Sequence, residues 1–325
     1  MSVNKIVTKV DGIINKTINF NDLASGLSVG SHTITVEAYN GATLISTQTK
    51  NITIVAEVVY EAETTSYMNA IGIPDDNTIY YANTPQEIAG AAIWTSVDTF
   101  VAALKTNSIL NKMKAIYPFI GGTAVTHKWN LMNPQDTDAA YRLVFFGSWN
   151  HSKTGMQGNG NNTYANTKAV HNSIFTEGSE SFGVYLRSEI NENKTAIGVF
   201  DSDSGSSYFY SYYRGSMLSR SQAENSISHV FANISTLGMH LMNRSSSSTY
   251  RIRKRDQIFT GSEPATSLTN LEIPISGRNS NGIFGNFSSK ETSFSFMGEG
   301  LTPTEENNLV IAINQLQTDL KRNVV

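Results

Sequence analysis

Apolar and polar residues alternate cleanly near the start of the chain. In Gly30–Tyr39, Ile34, Val36 and Ala38 fall at every second position, which is the period of a half-buried strand. Asn40-Gly41 follows at once, a pair suited to the positive φ angles of a tight hairpin turn. The return strand carries Leu44, Ile52 and Ile54. The pattern then fades over Ala56–Ser66, a Glu/Thr-rich stretch. That stretch marks a junction between a module over 1–58 and a larger domain over 59–325.

The larger domain opens with helical spacing. Val97, Phe100, Val101 and Leu104 share one face, Thr95 and Asp98 have the spacing of a capping box, and the spacing resumes at Ile109, Leu110 and Met113. From Tyr141 the texture is all β. The predicted strands are 141–146, 182–190, 195–200, 208–213, 226–233, 250–255, 271–275 and 293–297, separated by clusters of Gly, Asn, Ser and Asp as a sandwich or jelly roll requires. The chain closes on Thr302-Pro303-Thr304-Glu305, a capping box with proline at the first helical position. Leu309, Ala312, Ile313, Leu316 and Leu320 follow at helical spacing, and Lys321 and Arg322 suit the negative end of the helix dipole. A single amphipathic helix after many strands packs on a sheet. No repeat or heptad stretch that would build a fibrous shaft is present.

Composition narrows the class. Charged residues make up 16% of the 325 positions and net charge is −3, so nothing draws the chain globally to nucleic acid or to an anionic membrane. The absence of cysteine excludes disulfides, thiolate metal sites and a cysteine nucleophile, and fits folding in a reducing cytoplasm. Met1–Lys5 is not followed by an apolar segment of a signal peptide, and no run is long enough to span a bilayer. A protein suited to the outside of a cell but lacking an export signal is expected to be made in the host cytoplasm and released by lysis.

Two resemblances add to this reading. Leu27–Val36 (Leu-Ser-Val-Gly-Ser-His-Thr-Ile-Thr-Val) resembles late strands of immunoglobulin-like modules in bacterial and phage surface proteins, though the module is short for a full sandwich. Thr106–Trp129, continuing through Asn130–Asn133 and Pro134–Leu143, and Gly300–Glu306 with its helix together resemble a concanavalin-like (LamG-like) jelly-roll domain of tailed-phage virion proteins. These include head-fibre and tail proteins of crAss-like phages of gut Bacteroidales. The resemblance covers about 83–325 and implies an all-β protein, Ig-like and then jelly roll with a few peripheral helices. It also implies a virion location, attachment to capsid or other virion proteins through the N-terminal module, and a homo-oligomer, a trimer being favoured. A capsid head fibre is the first expectation, a tail adhesin binding host-surface glycan the second, and a glycan depolymerase the third. The family supplies no catalytic motif.

The chemistry-bearing residues agree with a non-enzymatic role. Glycosidases of this fold class place two carboxylates on one strand face, whereas the pairs Glu177/Glu180 and Glu189/Glu192 are spaced by three and fall on opposite faces. Asp201-Ser-Asp203-Ser-Gly205 starts like a calcium loop, but Tyr212 stands where a bidentate Glu belongs; a plain turn competes with a calcium site at Asp201 and Asp203, and no other cofactor is expected. His32, His127, His151, His171, His229 and His240 form no ligand pair in sequence. Gly26-Leu-Ser-Val-Gly30 has the letters of a nucleophile elbow but precedes a strand rather than a helix.

Candidate contact residues for glycan or a partner are Trp149, Tyr164, Tyr208, Tyr210 and Tyr212, since sugars stack their apolar faces on aromatic rings. The Gly/Asn-rich loop 155–166 is their neighbour in sequence. Arg251, Arg253 and Arg255 share one strand face and could meet a carboxylate or phosphate, or form a solvated sheet face.

Overall fold

A computed structural model describes residues 5–10, 13–15, 30–40, 43–54, 58–77, 79, 87–201, 206–211, 216–223, 227–231 and 235–325. The chain divides into two compact units, Met1–Val59 and Tyr60–Val325.

The described residues of the N-terminal unit form one antiparallel sheet in the order β2 (Ile13–Asn15), β1 (Lys5–Val10), β3 (Gly30–Asn40), β4 (Thr43–Ile54). Strands β3 and β4 pair antiparallel with Asn40 opposite Thr43; Gly41 of the predicted turn lies outside the described residues. A second sheet, which an Ig-like sandwich needs, is not among the described residues, and the described sheet by itself does not identify an Ig-like module.

The C-terminal unit is an all-β sandwich of jelly-roll type with a few helices. Among the described residues, its inner sheet has eight strands. They run β17 (Gln257–Ser262), β16 (Thr249–Lys254), β15 (Gly238–Arg244), β10 (Glu180–Leu186), β21 (Glu291–Gly298), β8 (Gly155–Gln157) and β7 (Asn150–Ser152), with β5 (Met113–Tyr117) also on β21. Among the described residues, the outer sheet has nine. Its order is β14 (Ile227–Val230), β13 (Ser216–Ala223), β12 (Ser206–Ser211), β11 (Thr195–Phe200), β18 (Glu272–Ile275), β9 (Tyr164–Val170) and β6 (Val144–Phe146), with β19 (Arg278–Ser280) and β20 (Ile283–Gly285) attached through β11.

The central strands of the inner sheet, β15, β10 and β21, are buried on both faces. Phe182, Val184, Leu186, Met242, Ile252 and Met297 point between the sheets. Tyr185, Met239, Leu241, Phe294 and Phe296, at intervening positions, point the other way into a helical layer. That layer consists of α1 (Ala62–Ile71), α2 (Gly90–Thr106) and α3 (Pro303–Asp319). Helix α3 starts as expected, with Thr302 and Glu305 forming a capping box and proline in the first turn. Leu309, Ile313 and Leu316 are buried from it.

Helix α2 differs from expectation. It begins at Gly90, after an Ala89 N-cap without a side-chain bond. Thr95 lies inside it and donates to Ala91 O at 2.9 Å. Asp98 instead accepts the Glu61 N–H at 2.7 Å, tying α2 to the start of α1. The spacing at Ile109, Leu110 and Met113 leads through a short 3-10 turn into strand β5 rather than a further helix. The dipole reading of Arg322 is also replaced: its guanidinium donates to Phe119 O at 2.9 Å and Pro118 O at 2.5 Å in the interior. No helix among the described residues is long and apolar enough to cross a membrane.

Candidate functional site

The outer sheet carries a row of stacked aromatic rings. On β6 and β9, Phe146 and Tyr164 are direct cross-strand partners, and their rings lie 4.6 Å apart at 6°. Phe284, on β20, stacks on Tyr164 at 4.4 Å and 11°, and Phe287 lies 5.6 Å away at 16°. A ring has two faces, and Phe146 and Phe284 are not in ring contact with each other, so Tyr164 is sandwiched and Phe146 ends the row. Phe146 is 40% exposed, unusually open for a large apolar ring on a strand.

Small residues make the row possible. A methyl group on Gly277 would approach Phe287 to 3.1 Å and Tyr164 to 3.4 Å. Gly147, at φ +77°, brings the turn after β6 against Asn162, where a side chain would meet the Asn162 carbonyl at 2.6 Å. The loop holding Asn162 is built by Asn159, whose Oδ1 accepts from the N–H groups of Asn161 at 2.8 Å and Asn162 at 3.1 Å. Asn161 and Asn162 are exposed. Amide donors and acceptors thus stand beside the open end of an aromatic row. On β9 and β18, Glu272 accepts from Asn166 Nδ2 at 2.5 Å and from Lys168 Nζ at 3.4 Å. Burial and the Glu272 charge raise the Tyr164 phenol above its ordinary pKa, so Tyr164 is a neutral donor at neutral pH.

Trp149 supports this surface from behind. Its Nε1–H donates to Phe146 O at 2.9 Å, and its ring packs edge-on against Phe145 at 5.7 Å and lies 6.1 Å from His151. His127 Nε2 accepts the Gly122 N–H at 3.1 Å. The proton of neutral His127 therefore sits on Nδ1 and is donated to His151 Nδ1 at 3.0 Å. Burial pushes His127 well below the usual histidine range, with His151 and Arg322 adding to it, and burial lowers His151 as well.

The other candidates are placed differently. Tyr208 and Tyr210 are at alternate positions on β12, paired with Gly198 and Thr195 of β11, while Tyr212 and Asp203 lie outside the described residues. Arg251 and Arg253 turn inward to helix α3: Arg251 Nε is 2.8 Å from the fully buried Glu306, and Arg253 Nη1 is 3.7 Å from it. Arg255 occupies the β16–β17 turn at φ +58°, and its carbonyl accepts from Arg253 Nε at 2.8 Å.

Among the four carboxylates weighed for glycosidase chemistry, Glu180 is fully buried against His171 at 3.0 Å. Glu189 accepts from Thr236 N at 3.1 Å, and Glu192 from Lys290 Nζ at 3.1 Å; Glu177 is exposed. Among the described residues, no group of three or more His, Asp or Glu is placed to hold a metal ion. Sequence reasoning singled out Tyr164 but missed Phe146, Phe284 and Phe287. The signal available for Phe146 was its place in Val144-Phe145-Phe146, where alternation sends one phenylalanine inward and the next outward.

No family model matches the chain, and no curated protein matches it. Among solved structures, domain 4 of AbnA, a GH43 extracellular arabinanase from Geobacillus stearothermophilus in complex with arabinotriose, aligns at 14% identity and a TM-score of 0.41. It covers 61% of this chain and 98% of its own. The IT-sialidase CBM40 of Ruminococcus gnavus bound to alpha2,3 sialyllactose aligns at 11% identity and 0.33, over 44% and 83%. The NanB sialidase of Streptococcus pneumoniae aligns at 9% identity and 0.33, over 41% and 24%. Likeness at this level brings neither a family nor a ligand to this chain.

Proposed function

We propose that the chain is a non-enzymatic structural protein of a phage virion, an appendage such as a capsid head fibre, whose C-terminal sandwich contacts host-surface glycan. The virion part of the reading is supported by the sequence resemblance over 106–143 and 300–306. The same support applies to the N-terminal unit as the attachment end and to a tail adhesin as the alternative placement. The contact part is carried by one observation: the open aromatic row Phe146–Tyr164–Phe284, with Asn161 and Asn162 beside it. Rings of this kind hold the apolar face of a sugar, while amides bond its hydroxyls. The hydrogen bonds that engage Glu180, Glu189 and Glu192 favour contact over cleavage.

The test has two arms. Immunogold labelling and mass spectrometry of purified intact particles are expected to find the protein on the particle, and the position of the gold separates head from tail. Its absence from particles and presence on uninfected cells would replace the virion reading with a bacterial surface lectin. Retention of the purified chain on host-surface polysaccharide is expected to drop at least tenfold in Phe146→Ala, about the 1.4 kcal/mol that one stacked ring contributes. Equal retention of Phe146→Ala and the unsubstituted chain would sink the contact reading alone.

A further inference from the structure

Among the described residues, the N-terminal sheet ends on strand β4 as an edge without a second partner. Strand β4 is twelve residues long, and among the described residues it pairs with β3 alone. An edge of that length presents a row of backbone N–H and C=O groups that invites another strand, so proteins shorten such edges, charge them or interrupt them with proline. Strand β4 (Thr-Leu-Ile-Ser-Thr-Gln-Thr-Lys-Asn-Ile-Thr-Ile) has no proline and one charged residue, Lys50. Its irregularity is confined to the turn end, where Ala38 pairs with Ser46 and Tyr39 with Leu44; Ser46–Ile54 is in unbroken register with β3. Ser46, Thr47, Gln48 and Thr49 are exposed in succession. Because successive residues face opposite sides of a strand, neither face is covered there.

Side chains on this strand already show what they pair with. Thr33 Oγ1 donates to Asn51 Oδ1 at 3.0 Å, and the hydroxyls of Thr35 and Thr49 lie 3.3 Å apart. We propose that β4 pairs antiparallel with β4 of a second copy of this chain, about a two-fold axis at Thr49. In that register Thr49 meets Thr49 of the second copy and Thr47 meets Asn51, repeating across the interface the Thr–Thr and Thr–Asn pairs that join β3 to β4.

Charge selects this register over its neighbours. An axis at Thr49 sets Lys50 opposite Gln48, whereas an axis at Lys50 sets two like charges directly opposite, which is destabilising. An axis at Gln48 sets Asn51 opposite Ile45, the position that the β3–β4 register leaves unpaired. Pairing about a two-fold axis uses the same edge on both chains and closes the assembly at this surface.

The chain has no cysteine, so single cysteines report the register directly, opposed strand positions being within disulfide reach. The full chain carrying Thr49→Cys is expected to form a disulfide-linked dimer on oxidation. Gln48→Cys and Lys50→Cys are each expected to stay unlinked alone and to link to one another when mixed. In sedimentation, the unsubstituted chain is expected to dimerise, and Thr49→Lys to lower the dimer fraction severalfold with an unchanged circular dichroism spectrum and melting midpoint. An unsubstituted chain that stays monomeric, cross-linking that peaks at a position other than 49, or an oligomer unaffected by Thr49→Lys overturns the proposal.

Discussion

The two sheets of the sandwich hold their aromatic rings in opposite ways. On the inner sheet, Phe294 and Phe296 are fully buried, and Phe294 meets Phe100 of α2 edge-on at 5.6 Å. On the outer sheet, Phe146 and Phe284 each stack on Tyr164, and the Phe146 end of the row is exposed. A covering layer of helices makes the first arrangement one of stability. Where none of the helices α1–α3 packs on the rings, they reduce their contact with water by stacking together, and Phe146 stays partly exposed. The difference teaches that aromatic content alone says little, and that the third layer decides which rings are structural.

The contrast can be broken most forcefully on the inner sheet. Phe296→Ala is expected to cost about 3–5 kcal/mol, measured by denaturant unfolding. A cost near that of a surface change would mean that the helical layer does not seal the sheet. Glu306→Gln leaves Arg251 and Arg253 without their counter-charge beneath α3 and is expected to cost about 3 kcal/mol.

Acid should act through the buried histidines. Burial lowers His127 and His151, and it lowers His240 to about 3. These rings stay neutral in the fold but take up protons on unfolding, so the unfolded state binds more protons and stability rises with pH. The contribution is complete above the unfolded value of about 6.5 and is lost as pH falls below it, by up to about 1.4 kcal/mol per unit for each ring that remains neutral. Thermal melts from pH 7 to pH 4.5 should show the loss, and replacing His240 with Gln should flatten the curve. The smallest expected effect on stability is that of Phe146→Ala, roughly 1 kcal/mol or less given its exposure. An equal loss of stability from Phe146→Ala and Phe296→Ala would erase the distinction between the sheets.

Much of this was legible in the sequence, and the exceptions have physical causes. Thr195–Phe200 coincides with β11, and helix α3 begins where its capping box says, because both signals are local. Strand β15 (Gly-Met-His-Leu-Met-Asn-Arg) was not read as a strand. It is buried at every position, so it shows no alternation, and it contains no β-branched residue. Strand β5 was missed for a related reason: four of its five residues are buried, and Met-Lys-Ala-Ile-Tyr fits either period. At the candidate site, Tyr164 was legible as a ring in a polar loop. Its partners Phe284, on β20, and Phe287, just beyond it, come about 120 residues later, and they reach Tyr164 through successive pairings of β20 with β19, β19 with β11, β11 with β18 and β18 with β9. Arg251 and Arg253 were legible as sharing a face, but their ion pair with Glu306 depended on where α3 packs.

Strand β21 sits in the middle of the inner sheet, between β10 and both β8 and β5, yet it is the last strand in the chain. During synthesis every other strand of that sheet leaves the ribosome before its central member. The apolar edge of β10 and the residues of β5 must wait unpaired for the whole intervening length, and closing contacts so distant in sequence is slow. The order of the strands therefore sets a period of vulnerability to aggregation that lasts until β21 has been synthesised.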